Sequence, residues 1–391
     1  MKRIISHIIS FFLFPFPSLS HKLKYSLYSR PTVALQYSDI PVSERKVAQK
    51  DMKKALMRHG LYYQEYILYG LYGKSDEYKS SFISEIGRYA LYRRFNTARA
   101  EKKYESKYSV YLRYHDFYLR KAIIIRNPHD LMKIDELIMT NKANALILKP
   151  DTGSCGEGVV KISSKGPTPK ATDNKSSSLI DEISDIITKQ TTRPHLPYIC
   201  EEYIKQSADM ASFNSDSVNT VRLLCVTTDK PCVYDDDDSG VNGGVANYRD
   251  GYCDIRYYRA GNCAVISPFM RMGRMGKVTD NAGAGGIIVP IIMHKDEWRL
   301  SPVGREESGK YYRAHPDSRL SFDGFPIPQT DELISTACEI MKRDTDIRML
   351  SLDLAHTDEG WVLVEINAKG QFIGQQMCDL VGKKRLAESL L

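Results

Sequence analysis

The chain has 391 residues, of which 42% are hydrophobic and 26% are charged, and its formal net charge is +7. This composition is typical of a globular protein of two or three domains and excludes a disordered or fibrous one. No apolar run reaches the ~18 residues that a membrane-spanning helix needs. Because the eight cysteines form no CxxC pair, we expect reduced thiols in the cytoplasm, not a zinc ribbon or a disulfide framework.

The N-terminal part of the chain is basic and begins with an apolar run. Lys2 and Arg3 precede the apolar stretch 4–16, and residues 1–130 hold 24 Lys and Arg against 11 Asp and Glu. Two interpretations are open. Residues 1–24 could form a peripheral contact with the inner face of an anionic membrane, or they could pack on the protein's own core. Nucleic acid is not expected as a partner.

The sequence pattern of residues 43–126 predicts a helical region. Few glycines or prolines interrupt the stretches 82–95 and 104–121, and Ser43 is a candidate N-cap for the first helix. That helix is expected to bury the face formed by Ala48, Met52, Ala55 and Leu56.

From about residue 145, short apolar runs alternate with glycine-rich turns, which predicts strands. The predicted strands are Ala145–Leu148, Val159–Ile162, Tyr198–Glu202, Val221–Thr227, Met349–His356 and Trp361–Asn367. The polar residues 163–178 predict a mobile loop, and the four carboxylates Asp235–Asp238 are expected to form a solvated turn.

A glycine-rich turn joins the first two predicted strands. The segment ALILKPDTGSCGEGVVKI puts Lys149 at the end of a strand and Gly153, Gly156 and Gly158 in the turn. Glycines let backbone N–H groups approach phosphate oxygens, and a lysine can contact the same phosphates. The Walker A, Rossmann and protein-kinase patterns do not fit. A phosphate site and a glycine-rich hairpin without a ligand both remain open.

The second chemical signal lies in the segment MLSLDLAHTDEGWVLVEIN, residues 349–367. Alternate leucines in its first half share one face, which leaves Asp353 on the other face. Alternate apolar residues in its second half, Val364 among them, are expected to share a face opposite to Glu365 and Asn367. Three oxygen-bearing side chains therefore converge on one side of a predicted hairpin.

The register of that hairpin decides whether the carboxylates meet. A three-residue loop at 358–360 would pair Thr357 with Trp361 and would place Asp353 opposite Glu365, with Cβ atoms about 5 Å apart. Two opposed carboxylates repel each other unless a cation lies between them, and hard oxygen ligands suit Mg²⁺. A polar face that is merely hydrated is the alternative.

In this order, the motifs resemble the ATP-grasp superfamily. ILKPDTGSCGEGVVKI resembles its glycine-rich loop, YICEEYI its hinge strand, and SLDLAHTDEGWVLVEIN its metal-binding end. The segments SVNTVRLLCVT, FMRMGRMGKVTDNAGAGGIIVPI and HPDSRLSFDGFPIP are similar to the sugar-transfer-associated ATP-grasp family. The resemblance covers roughly residues 100–375.

The resemblance implies an α+β protein with an ATP-grasp fold, in which two α+β subdomains grip ATP. The expected organisation is a helical, basic, tyrosine-rich region over 1–95, a small subdomain with the glycine-rich flap over 96–200, and a C-terminal subdomain over 201–391.

The resemblance also implies a role for each candidate site residue. The residues implied to bind ATP are Lys107, Lys149, Gly153, Gly156, Gly158, Glu202, Tyr203 and Ile204. Mg²⁺ would be held by Asp353, Glu365 and Asn367, whereas Arg222 and Arg271 would act on the γ-phosphate or on the substrate carboxylate. The acceptor side would be lined by Asp280, Asn281, Gly285 and Gly286, while Glu201 is expected to be structural.

The activity implied is that of an ATP- and Mg-dependent ligase that joins a carboxylate to an amine through an acyl phosphate. A small-molecule or sugar-linked carboxylate, in the biosynthesis of a polysaccharide or a related product, is the expected substrate. Two other classes stay open: an ATP-grasp kinase that phosphorylates a hydroxyl, and a non-catalytic protein that binds membrane or nucleic acid.

Overall fold

A computed structural model describes most of the chain. The described residues are 17–134, 137, 145–153, 156, 158–163, 183–187, 197–228, 246–249, 252–254, 257–260, 262–293 and 297–389. The apolar run 4–16, Cys155, residues 164–178 of the predicted loop, and the acidic turn Asp235–Asp238 lie outside the described residues.

Short helices make up the N-terminal region. They are α1 (Pro17–Tyr28), α2 (Pro31–Ala34), α3 (Arg45–His59), α4 (Tyr63–Leu68), α5 (Asp76–Ser80), α6 (Glu85–Phe95), α7 (Ala98–Lys102) and α8 (Lys107–Tyr118). Short 3₁₀ turns cover Leu35–Tyr37 and Val42–Glu44. The predicted helical region is confirmed, and the face of α3 formed by Ala48, Met52, Ala55 and Leu56 is buried.

Two local predictions in this region are wrong. Ser43 is not the N-cap of α3, because the 3₁₀ turn Val42–Glu44 leads straight into the helix and Glu44 occupies the cap position. The predicted helical range also runs too far. Leu119, at a φ of 47°, ends α8, and the β-branched residues that follow form a strand, which suits their stiff side chains.

The strands of the described chain form two main sheets and a two-stranded ribbon. The strands are β1 (Ala122–Ile125), β2 (Ala145–Pro150), β3 (Val160–Ser163), β4 (Tyr198–Glu202), β5 (Thr220–Thr227), β6 (Ala246–Arg249), β7 (Tyr252–Asp254), β8 (Tyr257–Ala260), β9 (Cys263–Met272), β10 (Ile287–Met293), β11 (Trp298–Leu300), β12 (Gly304–Arg305), β13 (Tyr311–Tyr312), β14 (Met349–Thr357) and β15 (Gly360–Asn367). All six predicted strands are therefore confirmed, with ends that differ by at most a few residues.

The smaller sheet has the strand order β1-β4-β2-β3, and each pair of neighbouring strands in it is antiparallel. The larger sheet runs β13-β12-β10-β9-β5-β14-β15, with β8 beside β9 and β11 beside β10. The ribbon pairs β6 with β7. This arrangement puts the β2–β3 turn and the β14–β15 hairpin on different sheets, so a site that uses both must lie between the sheets.

Later helices cover the larger sheet. They are α9 (Ala208–Ala211), α10 (Thr330–Lys342), α11 (Ile373–Asp379) and α12 (Lys384–Ser389). Residues 183–187 are also helical, and 3₁₀ turns cover Pro128–Lys133 and Ala282–Ala284. The burial of Leu333, Ala337 and Ile340 follows the helical period and fixes the inner face of α10.

The N-terminal helices share hydrophobic cores with the larger sheet. One core joins Met52 of α3 and Tyr66 of α4 to Phe269 of β9 and Met377 of α11. A second joins side chains of α6 to β5, β9 and β14. The tyrosine-rich region thus packs as a layer on the sheet. None of the described helices is long and apolar enough to cross a membrane.

Candidate functional site

The turn between β2 and β3 is built on glycines. β2 and β3 pair antiparallel from Ala145 with Ser163 to Leu148 with Val160. Gly153, Gly156 and Gly158 have φ values of 113°, 67° and 76°. L-side chains rarely adopt these backbone conformations, so glycine is required to turn the chain there. The predicted order of strand, glycine-rich turn and strand is confirmed.

Asp151 ties this turn to the start of α8. Its Oδ1 accepts hydrogen bonds from the backbone N–H of Tyr108 at 2.8 Å and from the Ser106 hydroxyl at 3.1 Å. Its carbonyl oxygen accepts from the N–H of Lys107 at 2.9 Å. Lys107 Nζ in turn donates to the carbonyl of Gly153 at 2.8 Å. Lys107 is therefore held over the glycine-rich turn, and burial lowers the pKa of its amine.

Lys149 and Glu201 form a buried ion pair on neighbouring strands. Nζ of Lys149 lies 2.5 Å from Oε1 of Glu201, and Arg120 Nη2 lies 3.1 Å from the other oxygen. Burial alone would raise the pKa of Glu201, but Arg120 and Lys149 together hold that pKa below its ordinary value. Glu201 is consequently an anion that positions Lys149 at the end of β2.

Glu202, Tyr203 and Ile204, which follow Glu201 in the chain, line the same region as Lys149 and Glu201. Glu202 is the last residue of β4, and the other two residues lie beyond the end of the strand. The backbone N–H of Glu202 donates to Lys121 at 3.0 Å and that of Tyr203 to Ala145 at 3.1 Å. Since these two N–H groups are already used inside the protein, Ile204 is the position of the three that is best suited to offer an N–H to a ligand.

The β14–β15 hairpin brings Asp353 opposite Glu365, but by a different route from the one expected. Thr357 pairs with Gly360, so the turn contains two residues and not three. A β-bulge between Asp353 and Leu354 then shifts the register, because Leu354 pairs with Leu363 while Asp353 pairs with Glu365. The extra residue of the bulge compensates for the shorter turn.

The bulge also changes the orientation of one side chain. Val364, expected to lie opposite to Glu365, lines the same cavities as Glu365 and Asn367. A bulge disturbs the alternation of a strand, so neighbouring residues can face the same side. Hydrophobic alternation alone could not predict this change.

Asp353 is enclosed by two arginines. Arg222 donates to both of its carboxylate oxygens, with Nη2 at 2.5 Å from Oδ2, and Arg271 Nη2 lies 3.1 Å from the same oxygen. Asp353 is 0% exposed. Burial opposes its charge, but the two guanidinium groups keep the pKa of Asp353 below its ordinary value. Asp353 likewise raises the pKa of Arg222 against the effect of burial.

Arg271 also connects this cluster to the predicted acceptor side. Its Nη2 lies 3.1 Å from Oδ1 of Asp280, and its Nε donates to the Thr220 hydroxyl at 3.1 Å. Burial raises the pKa of Asp280 although Arg271 opposes the shift. Gly285, at a φ of 88°, and Gly286 shape the turn that follows, since a Cβ on Gly286 would lie 2.4 Å from the carbonyl oxygen of Asp280.

A cavity of about 290 Å³, the central cavity, is lined by residues of both main sheets. The predicted site residues that line it are Lys107, Lys149, Gly153, Gly156, Glu202, Tyr203, Ile204, Arg222, Arg271, Asp280, Asn281, Glu365 and Asn367. Among the described site residues, Gly158, Asp353, Gly285 and Gly286 do not line it. Residues more than 200 positions apart in the chain therefore meet at one place.

A second cavity of about 570 Å³, the side cavity, adjoins the first. The two share Lys107, Lys149, Glu365 and Asn367 on their common wall. Helices of the N-terminal layer and the turn after α7 also line the side cavity, with Arg88, Tyr89, Glu101, Tyr104 and Glu105.

Sequence reasoning missed the contribution of Arg88 and of Lys369. Arg88 lies in α6, contacts Glu85 at 2.5 Å and donates to the carbonyl of Lys369, and both residues line the two cavities. Lys369 also lies 3.3 Å from Glu101. The concentration of arginines near residue 90 was the only sequence signal, and it did not say what the arginines contact.

The side chains on the common wall of the two cavities supply some of the oxygen ligands that a hard cation needs. Glu365 and Asn367 are half-buried, carry oxygen donors and face both cavities. Asp353 does not face them, because Arg222 and Arg271 occupy its oxygens. Within the part of the chain that the structure describes, no group of three or more His, Cys, Asp and Glu side chains is arranged to hold a metal ion.

Comparison with known families gives one match. Residues 251–390 match the family described as sugar-transfer associated ATP-grasp. This range is a little more than a third of the chain, and over it the resemblance inferred from the sequence is confirmed. The mixed α+β architecture with a helical N-terminal region is confirmed as well. No curated protein matches the sequence of the chain.

Solved structures align with the chain at low identity. The ATP-grasp ligase PsnB complexed with its minimal precursor is 13% identical, with a TM-score of 0.36 over 76% of this chain and 62% of that chain. The D-alanine–D-alanine ligase from Helicobacter pylori is 11% identical, with a TM-score of 0.40 over 76% and 64%. The ADP complex of purK, an N5-carboxyaminoimidazole ribonucleotide synthetase, is 10% identical, with a TM-score of 0.36 over 69% and 46%. The chain spans less than two thirds of the length of each.

Proposed function

We propose that this chain is an ATP- and Mg-dependent ligase that joins a carboxylate to an amine. The observation that carries the proposal is the central cavity, which is lined by the glycine-rich turn, by Lys149, by Glu202–Ile204 and by Glu365 with Asn367. A nucleotide needs an apolar and hydrogen-bonding wall at one end and cations at the other, and these residues supply both.

The nucleotide would lie along the central cavity. Adenine would contact the backbone of Glu202–Ile204, with the N–H of Ile204 as its donor. The phosphates would extend towards Lys149 and Lys107, under the turn formed by Gly153, Gly156 and Gly158. Glu201 supports this arrangement because it fixes the direction of the Lys149 side chain.

Mg²⁺ would be held by Glu365 and Asn367 together with phosphate oxygens. The ion, when bound, would neutralise negative charge on the phosphates. Asp353 would take part through its arginines, because it fixes Arg222 and Arg271 against the same cavity. A direct contact from Asp353 to the ion would require Arg222 to leave its oxygens.

The proposed reaction has two steps. A carboxylate oxygen of the substrate attacks the γ-phosphorus of ATP, ADP leaves, and an acyl phosphate forms. The amine nitrogen then attacks the acyl carbon, the C–O bond to phosphate breaks, and an amide, inorganic phosphate and a proton are released. Arg222 and Arg271 would stabilise charge on the transferred group, and loss of one such donor costs roughly 3–4 kcal/mol in the transition state.

The carboxylate would reach the γ-phosphate from the acceptor side, near Asp280 and Asn281, or through the side cavity. The side cavity favours a polar substrate, because Arg88, Lys369, Glu101 and Glu105 give its wall both signs of charge. A sugar acid or an amino acid in the cytoplasmic biosynthesis of a polysaccharide or a related product suits this wall.

The test is a screen for ADP release with pairs of carboxylates, including uronic acids and amino acids, and amines. We expect the wild type to release ADP and inorganic phosphate only when a carboxylate and an amine are both present. Glu365→Gln should abolish this release, whereas Glu359→Gln, an equal change on the exposed turn of the same hairpin, should keep it. Equal activity of the two variants would contradict the assignment of the metal site.

Two other outcomes would identify the alternatives. ADP release that needs no amine, with phosphate retained on a hydroxyl of the product, would mean a kinase. Binding of Mg·ATP without turnover of any substrate pair would leave a non-catalytic binding protein.

A further inference from the structure

The loop of residues 273–281 follows β9 and forms one side of the central cavity, which its last four residues line. The loop is closely packed where it begins. A Cβ on Gly273 would lie 1.9 Å from Oγ of Ser217 and 3.0 Å from the carbonyl oxygen of Thr279, so no side chain fits there. The conformation of the 273–281 loop therefore determines the shape of this side of the cavity.

The 273–281 loop also contacts the glycine-rich turn of the smaller sheet. Gly156 lies against the side chain of Thr279, because a Cβ built on Gly156 would be 3.3 Å from Cγ2 of Thr279. Both residues line the central cavity. The contact thus links the turn after β2 to the loop after β9, and these strands belong to different sheets.

Asp317, which lies outside this loop, holds its conformation. Oδ2 and Oδ1 of Asp317 accept hydrogen bonds from Nε and Nη2 of Arg274 at 2.9 and 2.8 Å, and Oδ2 also accepts from the backbone N–H of Met275 at 2.8 Å. A bidentate pair of this kind fixes the direction of both side chains. The Arg274 guanidinium holds the pKa of Asp317 below its ordinary value. Asp317 is not among the described residues that line the central cavity.

Two further side chains support the same loop. His315, which is fully buried, donates from Nε2 to the carbonyl oxygen of Gly273 at 2.9 Å, and its Nδ1 accepts from the backbone N–H of Asp317 at 3.3 Å. One neutral tautomer of the ring satisfies both contacts. Asp216 accepts from the backbone N–H of Gly276 at 2.7 Å. Side chains from two other segments of the chain therefore hold the 273–281 loop.

We propose that Asp317 is a positioning residue for nucleotide binding, and that it acts by holding the 273–281 loop in the conformation that receives the glycine-rich turn. A loop that is already ordered in its binding conformation loses little entropy when a ligand binds, and this raises the affinity. Without Asp317 the loop would populate other conformations, and the affinity would fall in proportion to the competent fraction. The inference rests on the proposed function in one respect, that ATP binds in the central cavity.

The test is isothermal titration of the full chain with Mg·ATP. Asp317→Ala should lower the affinity roughly tenfold, because it removes both the ion pair and the acceptor for the N–H of Met275. Asp317→Asn keeps an oxygen acceptor for that N–H and should restore part of the affinity. Arg274→Gln, at a side chain that is 29% exposed, should show a partial loss and carries the test if Asp317→Ala does not fold. Asp323→Ala, at an exposed aspartate in the same part of the chain, should bind like the wild type.

Hydrogen exchange followed by mass spectrometry separates positioning from a merely structural role. In the wild type, Mg·ADP should slow exchange both in the 273–281 loop and around Gly156, and in Asp317→Ala the protection around Gly156 should be weaker.

Three outcomes would overturn the inference. Wild-type affinity in both Asp317→Ala and Arg274→Gln would do so and would leave the proposed function standing. Faster exchange in the 273–281 loop of Asp317→Ala without a loss of affinity would mean that Asp317 is only structural. Failure of the wild type to bind Mg·ATP would refute the proposed function and this inference together.

Discussion

The guanidinium of Arg222 on β5 donates hydrogen bonds to both carboxylate oxygens of Asp353 on the neighbouring strand β14. The carboxylate is fully buried, and Arg271 supplies a second cation to it. Asp353 is thus part of the framework that aims two arginines at the central cavity. Glu365 stands opposite it in the hairpin but faces the cavity itself.

Replacement of the two carboxylates should therefore have different consequences. Asp353→Asn leaves two guanidinium groups without their full counter-charge in a buried place, and we expect it to lower the free energy of unfolding by about 3–5 kcal/mol. Glu365→Gln, on the cavity wall, should change that free energy by no more than about 0.5 kcal/mol. Urea unfolding of both variants measures the difference, and similar losses in the two would contradict this division of roles.

Lys149 should contribute mainly to nucleotide affinity. If the nucleotide binds as proposed, Lys149→Met would remove a charge-assisted contact to phosphate, and we expect the affinity for ATP to fall roughly 10- to 100-fold. Glu201 keeps Arg120 as a partner, so the fold should persist. Isothermal titration with ATP measures the loss. Lys133→Met, at a lysine that is 58% exposed, should have no effect, and an equal loss there would refute a specific contact.

Glu65 should make the stability of the protein depend on pH. Burial raises the pKa of this carboxyl from 4.5 to about 8, although the backbone N–H groups of Tyr62 and Glu85 oppose the shift. The folded state therefore keeps a proton that the unfolded state has lost between pH 4.5 and about 8. This stabilising contribution of Glu65 is fully present below that interval and is lost as the pH rises through it, at about 1.4 kcal/mol for each pH unit.

The measurement is the free energy of unfolding of the wild type and of Glu65→Gln across the same interval. The glutamine variant, which cannot ionise, should lack this part of the decline with rising pH. Parallel curves for the two proteins would mean that the two backbone donors keep Glu65 ionised in the folded state.

Asn96 should be important for holding the N-terminal layer to the site. Its Nδ2 donates to the carbonyl oxygens of Met349 and Ala368, and its Oδ1 accepts from the N–H groups of Arg348 and Met349. Asn96→Ala would leave these buried groups unpaired, and we expect a loss of at least about 2 kcal/mol in the free energy of unfolding.

A thermal or urea denaturation of this variant tests the expectation. Asn127→Ala, at an exposed turn before a 3₁₀ helix, provides the comparison and should cost less than about 1 kcal/mol. If the two asparagines proved equivalent, the bridge between the layer and the hairpin would contribute little.

The strands near the site could be predicted because their signals are local. Runs of apolar residues predicted that β14 and β15 are strands, and glycines predicted the turn after β2. The β14–β15 turn and the bulge could not be predicted in this way, because a one-residue shift in each leaves the pairing of Asp353 with Glu365 unchanged. The predicted pair was right although the predicted turn was wrong.

The contribution of the N-terminal helices to the two cavities could not be predicted from the sequence, for a different reason. Arg88 meets the carbonyl of Lys369 across 281 positions of sequence, and no local pattern specifies such a contact. The role of Glu201 could not be predicted from local sequence either. Alternation along β4 predicted only that its side chain lies on the face opposite to the expected hinge contacts. Its role as the partner of Lys149 depends on how β2 and β4 pair.

The bulge beside Asp353 makes the hairpin tolerant of changes in its length. Deletion of Glu359 could be absorbed if the strands slid into regular pairing and Val364 rejoined the ladder, because Thr357 would then pair with Trp361 across a turn that still contains two residues. The opposed carboxylates would then keep their partners. Evolution could therefore change the length of the turn by one residue without changing the pairing of Asp353 with Glu365.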